Sequence, residues 1–257
     1  MSDLDRRELA LLAIAREAGE LARRHFVARD KMVVTFKGPQ DFLTQADGEV
    51  ERLIVDRLHA AFPEDTHLGE ETGGTPGARV WVTDPIDGTA NFARGTPHFC
   101  VSIAYVEDNE ILLGAIYQPM SHEMFAARKG RGATLNGRPM KTSTTSKMDE
   151  SAIELGWSKR RPNADYTDTA LRVLEAGGTF RRCASGALGL ASVADGRTDA
   201  YFERHINSWD CLAGILMVNE AGGWCNDFLA GDGMLGGNPV LATNAPLKDE
   251  ITRLVRL

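Results

Sequence analysis

The sequence predicts an α+β fold built in layers. Three observations carry that expectation. Two amphipathic helical stretches, residues 3–28 and 43–62, stand near the start. Residues 100–135 read as a run of hairpin-connected strands. From about residue 151 short strand and helix patterns alternate.

In the first helical stretch Leu4, Leu11, Ala15, Ala18, Ala22 and Phe26 recur at helical spacing. Residues 32–36 read as a strand, and Lys37-Gly38-Pro39-Gln40 as an exposed loop. The second helix turns Leu53, Ile54, Leu58 and Ala61 inward, and Pro63 stops it. A short strand at 66–69 ends in Glu70-Glu71, and residues 73–77 make a flexible turn. The buried strand Val80-Trp81-Val82-Thr83 then delivers Asp84. Strands at 100–106 and 111–117 flank the turn Glu107-Asp108-Asn109-Glu110. Strands at 123–128 and 133–135 continue the sheet, and Asn136-Gly137 is a turn pair. Beyond residue 150, strands are expected at 152–155, 179–182, 199–203 and 240–243, with helices at 165–176, 186–195 and 209–221 and one more at the end. Gly222-Gly223 closes the helix before it. The polar stretch 142–149 marks a boundary between lobes of about residues 1–145 and 146–257.

The composition is that of an ordinary globular chain: 257 residues, 43% hydrophobic and 25% charged. The net charge of -7 argues against a nucleic-acid footprint, which needs a clustered basic face. It also means that an anionic ligand must be attracted locally, by bound cations or a helix start. The cysteines, Cys100, Cys183, Cys211 and Cys225, match no zinc spacing and read as buried free thiols in a reducing compartment. The start of the chain lacks the basic flank and apolar run of a signal peptide, and no stretch is long enough to span a membrane. A cytoplasmic location is the expectation.

The chemistry centres on Asp84-Pro85-Ile86-Asp87-Gly88-Thr89. Two carboxylates at a strand end can converge on hard cations, and the Ile86 carbonyl between them is a natural extra ligand. Gly88 lets the backbone pass close to a ligand, and the Gly88 and Thr89 amides stand at a helix start, where phosphate binds. The competing structural reading is an Asp-Gly turn. A phospho-aspartate mechanism is excluded, because its D-x-D-G-T signature spaces the aspartates two apart and here they are three apart. Taken singly, Glu70-Glu71 reads as a solvated face, Thr44 and Asp47 as helix caps, and Asp210 as an aspartate favouring a helix dipole. The apolar flanks of Asp210 suggest a buried, paired or metal-bound carboxylate instead. His98 and His205 read as structural or surface histidines, and Arg128, Lys129, Arg131, Arg138 and Lys141 as a solvated hairpin edge.

The order of these features is Asp47, Gly69-Glu70-Glu71, then Trp81 through Asp84-Pro85-Ile86-Asp87-Gly88-Thr89 to Asn91-Phe92. Trp209-Asp210 with Ala213-Gly214 and Glu220-Ala221-Gly222-Gly223 follow. Together they strongly resemble the inositol monophosphatase family over nearly the whole chain. The resemblance implies a layered α-β-α-β-α sandwich, a homodimer, Mg²⁺ dependence with two or three ions per site, and lithium sensitivity. It implies that Glu70, Asp84 and the Ile86 carbonyl hold one Mg²⁺ and that Asp84, Asp87 and Asp210 hold a second. Glu70, helped through water by Asp47, would hold a third, weaker ion. Thr89 and Glu70 would orient and deprotonate the attacking water, and Lys37 would shield the site. Metal and phosphate motifs would thus lie in the first lobe, and substrate contacts and the last metal ligand in the second.

Around the substrate, the resemblance implies contacts from Glu70, Ile86, Asp87, Gly88, Thr89 and Asp210, and sugar-hydroxyl binding by Glu203. Ala184-Ser185-Gly186 falls where members commonly read Gly-Ser/Thr-Ala, a departure that puts individual ring contacts in doubt. The competing readings there are an N-cap for Ser185 and close packing for Gly186. The activity expected first is hydrolysis of inositol-1-phosphate. Histidinol phosphate ranks next, then fructose-1,6-bisphosphate and 3′-phosphonucleotides. A non-enzymatic alternative is a partner of a transcription or RNA complex.

Overall fold

The computed structural model describes residues 1–28, 34–38 and 41–257, and for 34–38 and 41–44 the backbone alone. The chain runs through α1 (Asp3–Val27), β1 (Val34–Gly38), β2 (Asp41–Thr44), α2 (Gln45–Ala61), β3 (Thr66–Gly69), β4 (Arg79–Asp87) and α3 (Thr89–Ala93). The strands β5 (Cys100–Glu107), β6 (Glu110–Gln118), β7 (Glu123–Arg128), β8 (Gly132–Leu135) and β9 (Arg138–Pro139) follow. Then come β10 (Ala152–Leu155), α4 (Asn163–Glu175), β11 (Thr179–Arg181), α5 (Gly186–Ala194), β12 (Ala200–Ile206) and α6 (Ser208–Glu220). The chain closes with β13 (Trp224–Cys225), α7 (Gly233–Gly236), β14 (Asn238–Thr243) and α8 (Lys248–Val255).

Two sheets organise these elements. A seven-stranded sheet has the order β3-β4-β5-β6-β7-β8-β9, antiparallel except for the β3–β4 pair. A five-stranded mixed sheet has the order β11-β10-β12-β14-β13. The alternation of side chains along a strand distributes residues between layers. On β4, Trp81 enters the core under α1 and α2, while Val80 and Val82 enter the core around α5 and α6. On β12, Tyr201 faces α5 and α6, while Ala200 and Phe202 face the core that holds α4 and α8. The order of layers is therefore α1/α2, seven-stranded sheet, α5/α6, five-stranded sheet, α4/α8. This is the layered α+β architecture that the sequence predicts.

The middle helices are the most apolar. Ala187, Leu188, Leu190, Ala191, Val193 and Ala194 of α5 and Cys211 to Val218 of α6 are buried around their whole circumference, as sheets on both sides require. Gly114 of β6 meets α6 closely: a Cβ there would lie 2.9 Å from the Ala213 Cα. Such contact lets the α6 backbone sit directly on the sheet. At the outer end Arg7, buried in α1, donates to both Asp65 oxygens at 3.0 Å, and Trp81 Nε1 donates to the same carboxylate. A buried carboxylate is thereby paired and hydrogen-bonded, as its burial demands.

Several elements differ from the sequence expectation. The strand read at 80–83 continues through Asp87, β2 takes in residues 43 and 44 that were expected to open the second helix, and β9, β13 and α7 arise where no element was expected. The strand expected at 32–36 is displaced to β1, and residues 32, 33, 39 and 40 lie outside those described, as does the Lys37 side chain. Asp108 and Asn109 form the β5–β6 turn with φ of 50° and 63°, the conformation that two-residue hairpin turns demand. Among the described residues no helix is long and apolar enough to cross a membrane.

Candidate active site

Asp84 and Asp87 are three residues apart on β4, and on a regular strand they would face opposite ways. A bulge corrects this. Asp84 pairs with Ser102 and Asp87 with Cys100, so three steps on β4 match two on β5. Pro85, which has no N–H for the ladder, lies within the bulge. Both carboxylates consequently turn to one face. Asp210 joins them from α6. Its Oδ2 accepts from the Asn207 backbone N at 3.1 Å and from Asn207 Nδ2 at 3.2 Å, a capping box that fixes its direction. Oxygens of Asp84, Asp87 and Asp210 all lie within 4.8 Å of one another, a group able to hold a metal ion.

Asp87 also fastens the start of α5. Its Oδ2 accepts from Ser185 Oγ at 2.5 Å and from the Ala187 amide at 2.8 Å, and its Oδ1 from the Gly186 amide at 3.3 Å. Ser185 caps the same helix by accepting from Leu188 N. The close-packing reading of Gly186 holds too: a Cβ would meet Ile206 Cδ1 at 2.7 Å. Ala184 takes φ of 59°, a left-handed conformation unusual for alanine. Asn91 Nδ2 bridges this turn to β5's approach, donating at 2.8 Å to the carbonyls of His98 and of Cys183.

The Thr89 hydroxyl lies 3.0 Å from the Ile86 carbonyl and 3.4 Å from Asp47 Oδ1, so those three groups from the sequence reading come together. Gly88, at φ of 96°, turns β4 into α3, and a side chain there would press on the His98 carbonyl at 2.9 Å. Glu70 follows β3, with its backbone N donating to the Thr83 carbonyl. A cleft of about 240 Å³ reaches from Glu70, Asp87, Gly88 and Thr89 past Ala184, Ser185 and Gly186 to Glu203 and Asp210. Glu203, on β12, accepts a 2.7 Å hydrogen bond from Tyr201 Oη.

Burial dominates the electrostatics. It pushes the Asp84 carboxyl well above the usual range, and the neighbouring Glu70, Asp87 and Asp210 add to the rise. Burial and then the charge of Asp210 lift Asp87 to about 7, against the pull of the Ser185 hydroxyl and the α5 amides. Asp210 is raised by burial, partly offset by its bonds to Asp84 and Asn207. Glu203 rises to about 8, chiefly through burial. Like charges this close in a poorly solvated pocket hold protons unless a cation replaces them.

The family model of the inositol monophosphatase family matches residues 3–256. The chain belongs to the inositol monophosphatase family. It is 36% identical over 251 residues to Nus factor SuhB of Escherichia coli (strain K12), covering 93% of this chain and 94% of that one. It is 34% identical over 245 residues to inositol-1-monophosphatase of Rhizobium meliloti (strain 1021), covering 93% and 92%. The crystal structure of extragenic suppressor protein suhB from Bartonella henselae superposes with a TM-score of 0.90 at 33% identity, covering 96% and 97%.

Sequence reasoning missed two supports of this family site. Glu51, fully buried on α2, accepts from the Glu71 amide at 3.2 Å and so braces the turn that carries Glu70. Its only sequence signal was a glutamate on an otherwise inward face. Tyr201, which orients Glu203, lay two residues before it on the same strand face.

Two outcomes follow from this geometry. A carboxyl raised in the folded state favours folding while protonated, and that contribution is lost as pH climbs through its folded value. Without divalent cations the melting temperature should therefore fall between pH 4 and pH 8, the span from ordinary carboxylates to Asp87 and Glu203, and added Mg²⁺ should reverse the loss at pH 8. Calorimetric melting at both ends, with and without Mg²⁺, checks this. Second, Ala184→Gly removes a left-handed alanine and should stabilise the fold by about 1 kcal/mol, net of glycine's greater freedom when unfolded. A denaturant midpoint that falls would contradict it.

Proposed function

We propose that this chain hydrolyses inositol-1-phosphate to inositol and phosphate in a Mg²⁺-dependent reaction. The observation that carries the reading is the convergence of Asp84, Asp87 and Asp210 within 4.8 Å at the end of a cleft that also holds Glu203. An all-oxygen set of buried and half-buried carboxylates suits a hard divalent cation. Glu70, Asp84, Asp87, Asp210 and the Ile86 carbonyl are the groups that would hold it. Bound there, Mg²⁺ supplies Lewis-acid stabilisation of the charge on the phosphoryl group and leaving oxygen.

The protein's own groups do the remaining work. Thr89, donating to the Ile86 carbonyl or Asp47, presents hydroxyl lone pairs to a water in the cleft. That water's proton can pass to Glu70 or, through Thr89, toward Asp47. The turn at Gly88 brings the backbone against the phosphate position. Glu203, held by Tyr201, accepts hydroxyl groups of the polyol. Ser185 acts chiefly by holding Asp87, which explains why a changed order of small residues at 184–186 is compatible with the site.

Phosphate release from inositol-1-phosphate, histidinol phosphate, fructose-1,6-bisphosphate and adenosine 3′,5′-bisphosphate tests this. Inositol-1-phosphate should give the highest kcat/KM among the monophosphates, EDTA should abolish turnover, and Asp87→Asn should lower kcat at least a hundredfold with the fold intact. Turnover that survives EDTA, or a preference for histidinol phosphate, would overturn the reading. The name Nus factor carried by the E. coli relative motivates a second, additional reading as a transcription-complex partner. Co-purification with RNA polymerase would support it, and clean separation at low salt would remove it.

A further inference from the structure

Helix α2 buries two carboxylates on one face. Asp47 and Glu51 stand one turn apart and are both fully buried. Around them Ala46, Val50 and Ile54 pack into the core between α1/α2 and the seven-stranded sheet. Asp47 meets the Thr89 hydroxyl at the start of α3. Glu51 is used by no step of the reaction proposed above, yet a buried carboxylate is costly unless it is hydrogen-bonded.

Its partner is the turn that carries Glu70. β3 is an edge strand, so β4 flanks this turn on one side only. Gly69 and Gly73 close the turn by exchanging two backbone hydrogen bonds of 3.0 Å, and Glu70 N donates to the carbonyl of Thr83, the residue before Asp84. Glu51 Oε1 reaches the turn from α2 and accepts from the Glu71 amide at 3.2 Å. Burial raises the Glu51 carboxyl, and the Glu71 amide and the Thr72 hydroxyl pull it back down. Gly69 makes the room: a Cβ there would run into Glu51 Oε1 and stand 2.8 Å from its Cδ. Glu51 is thus seated against the backbone on both sides of Glu70. The charge of Glu70 meanwhile reaches Asp84, so its carboxylate stands toward the cluster.

We propose that Glu51 is a positioning residue: by gripping the backbone on either side of Glu70 it sets where the Glu70 carboxylate stands, and through it how tightly the site binds Mg²⁺. This rests on the reading of the cleft as a Mg²⁺ site. Groups that orient a metal ligand govern metal affinity by about ten- to a hundredfold. Reach matters here more than charge, because the contact is one acceptor oxygen against a backbone amide. Helix α2 thereby places both groups assigned to the water, Asp47 directly at Thr89 and Glu70 through Glu51.

Mg²⁺ titration of the full chain without substrate, followed by calorimetry, tests this. Glu51→Asp, one methylene shorter, should weaken Mg²⁺ binding about tenfold or more. Glu51→Gln, which keeps the reach and the acceptor oxygen, should stay within about threefold of the unaltered protein. Glu70→Gln removes the ligand on which Glu51 acts, so adding Glu51→Asp to it should change Mg²⁺ affinity by less than about twofold. An unchanged Mg²⁺ affinity in Glu51→Asp, with only the metal-free melting temperature lowered, would show a merely structural brace and overturn the proposal. So would an equal loss in Glu51→Gln, or an undiminished effect of Glu51→Asp beside Glu70→Gln. None of these readouts uses turnover. If inositol-1-phosphate resists hydrolysis while the Mg²⁺ pattern holds, the proposed activity falls and the positioning role stands; a chain that binds no Mg²⁺ overturns both.

Discussion

The arrangement of this protein depends on the mutual repulsion of three carboxylates, two buried and the third, Asp210, half-buried. Asp84, Asp87 and Asp210 are gathered within 4.8 Å, where desolvation and like charge both oppose ionisation. Each is nevertheless held by dedicated donors: the Ile86 amide for Asp84, the start of α5 for Asp87 and Asn207 for Asp210. Those donors fix directions without neutralising the cluster. A cluster so built is able to hold a cation, and the fold keeps its three oxygens together.

That hold comes from the junction of the two sheets. Asp87 belongs to the seven-stranded sheet yet caps α5, which leads into β12 of the five-stranded one. Asn91 ties the same two regions through the carbonyls of His98 and Cys183. Ser102, opposite Asp84 on β5, donates to the Trp209 carbonyl at 3.1 Å and so registers α6 against the sheet. The site is therefore a property of how the layers meet, and a shift of α5 or α6 would move a ligand or its support.

Much of this was legible in the sequence. The long amphipathic helices and the hairpin run have strong periodicity, because each buries a defined face, whereas α5 and α6 are apolar all round. Asp84 and Asp87 stood out as two carboxylates at a strand end able to converge on a hard cation, and Asp210 because a carboxylate between apolar flanks is costly without a partner. The β4 bulge did not stand out, since it arises from pairing with β5 and leaves only Pro85 as a local hint. The very short β9 and β13 exist through their neighbours in the sheet, with no pattern of their own. Glu51 and Tyr201 act across the fold or along one strand face, where sequence neighbours say nothing about their partners. The capping reading of Ser185 holds, and the same hydroxyl also donates to Asp87, a bond with no trace in the sequence pattern.

The central claim is that the carboxylate cluster carries protons which a divalent cation displaces. Proton release on Mg²⁺ binding measures this directly, through titration calorimetry at pH 7 in buffers of differing ionisation enthalpy. The account predicts release of about one proton or more per site at pH 7, diminishing as the starting pH rises. Mg²⁺ binding at pH 7 with no proton released would contradict it.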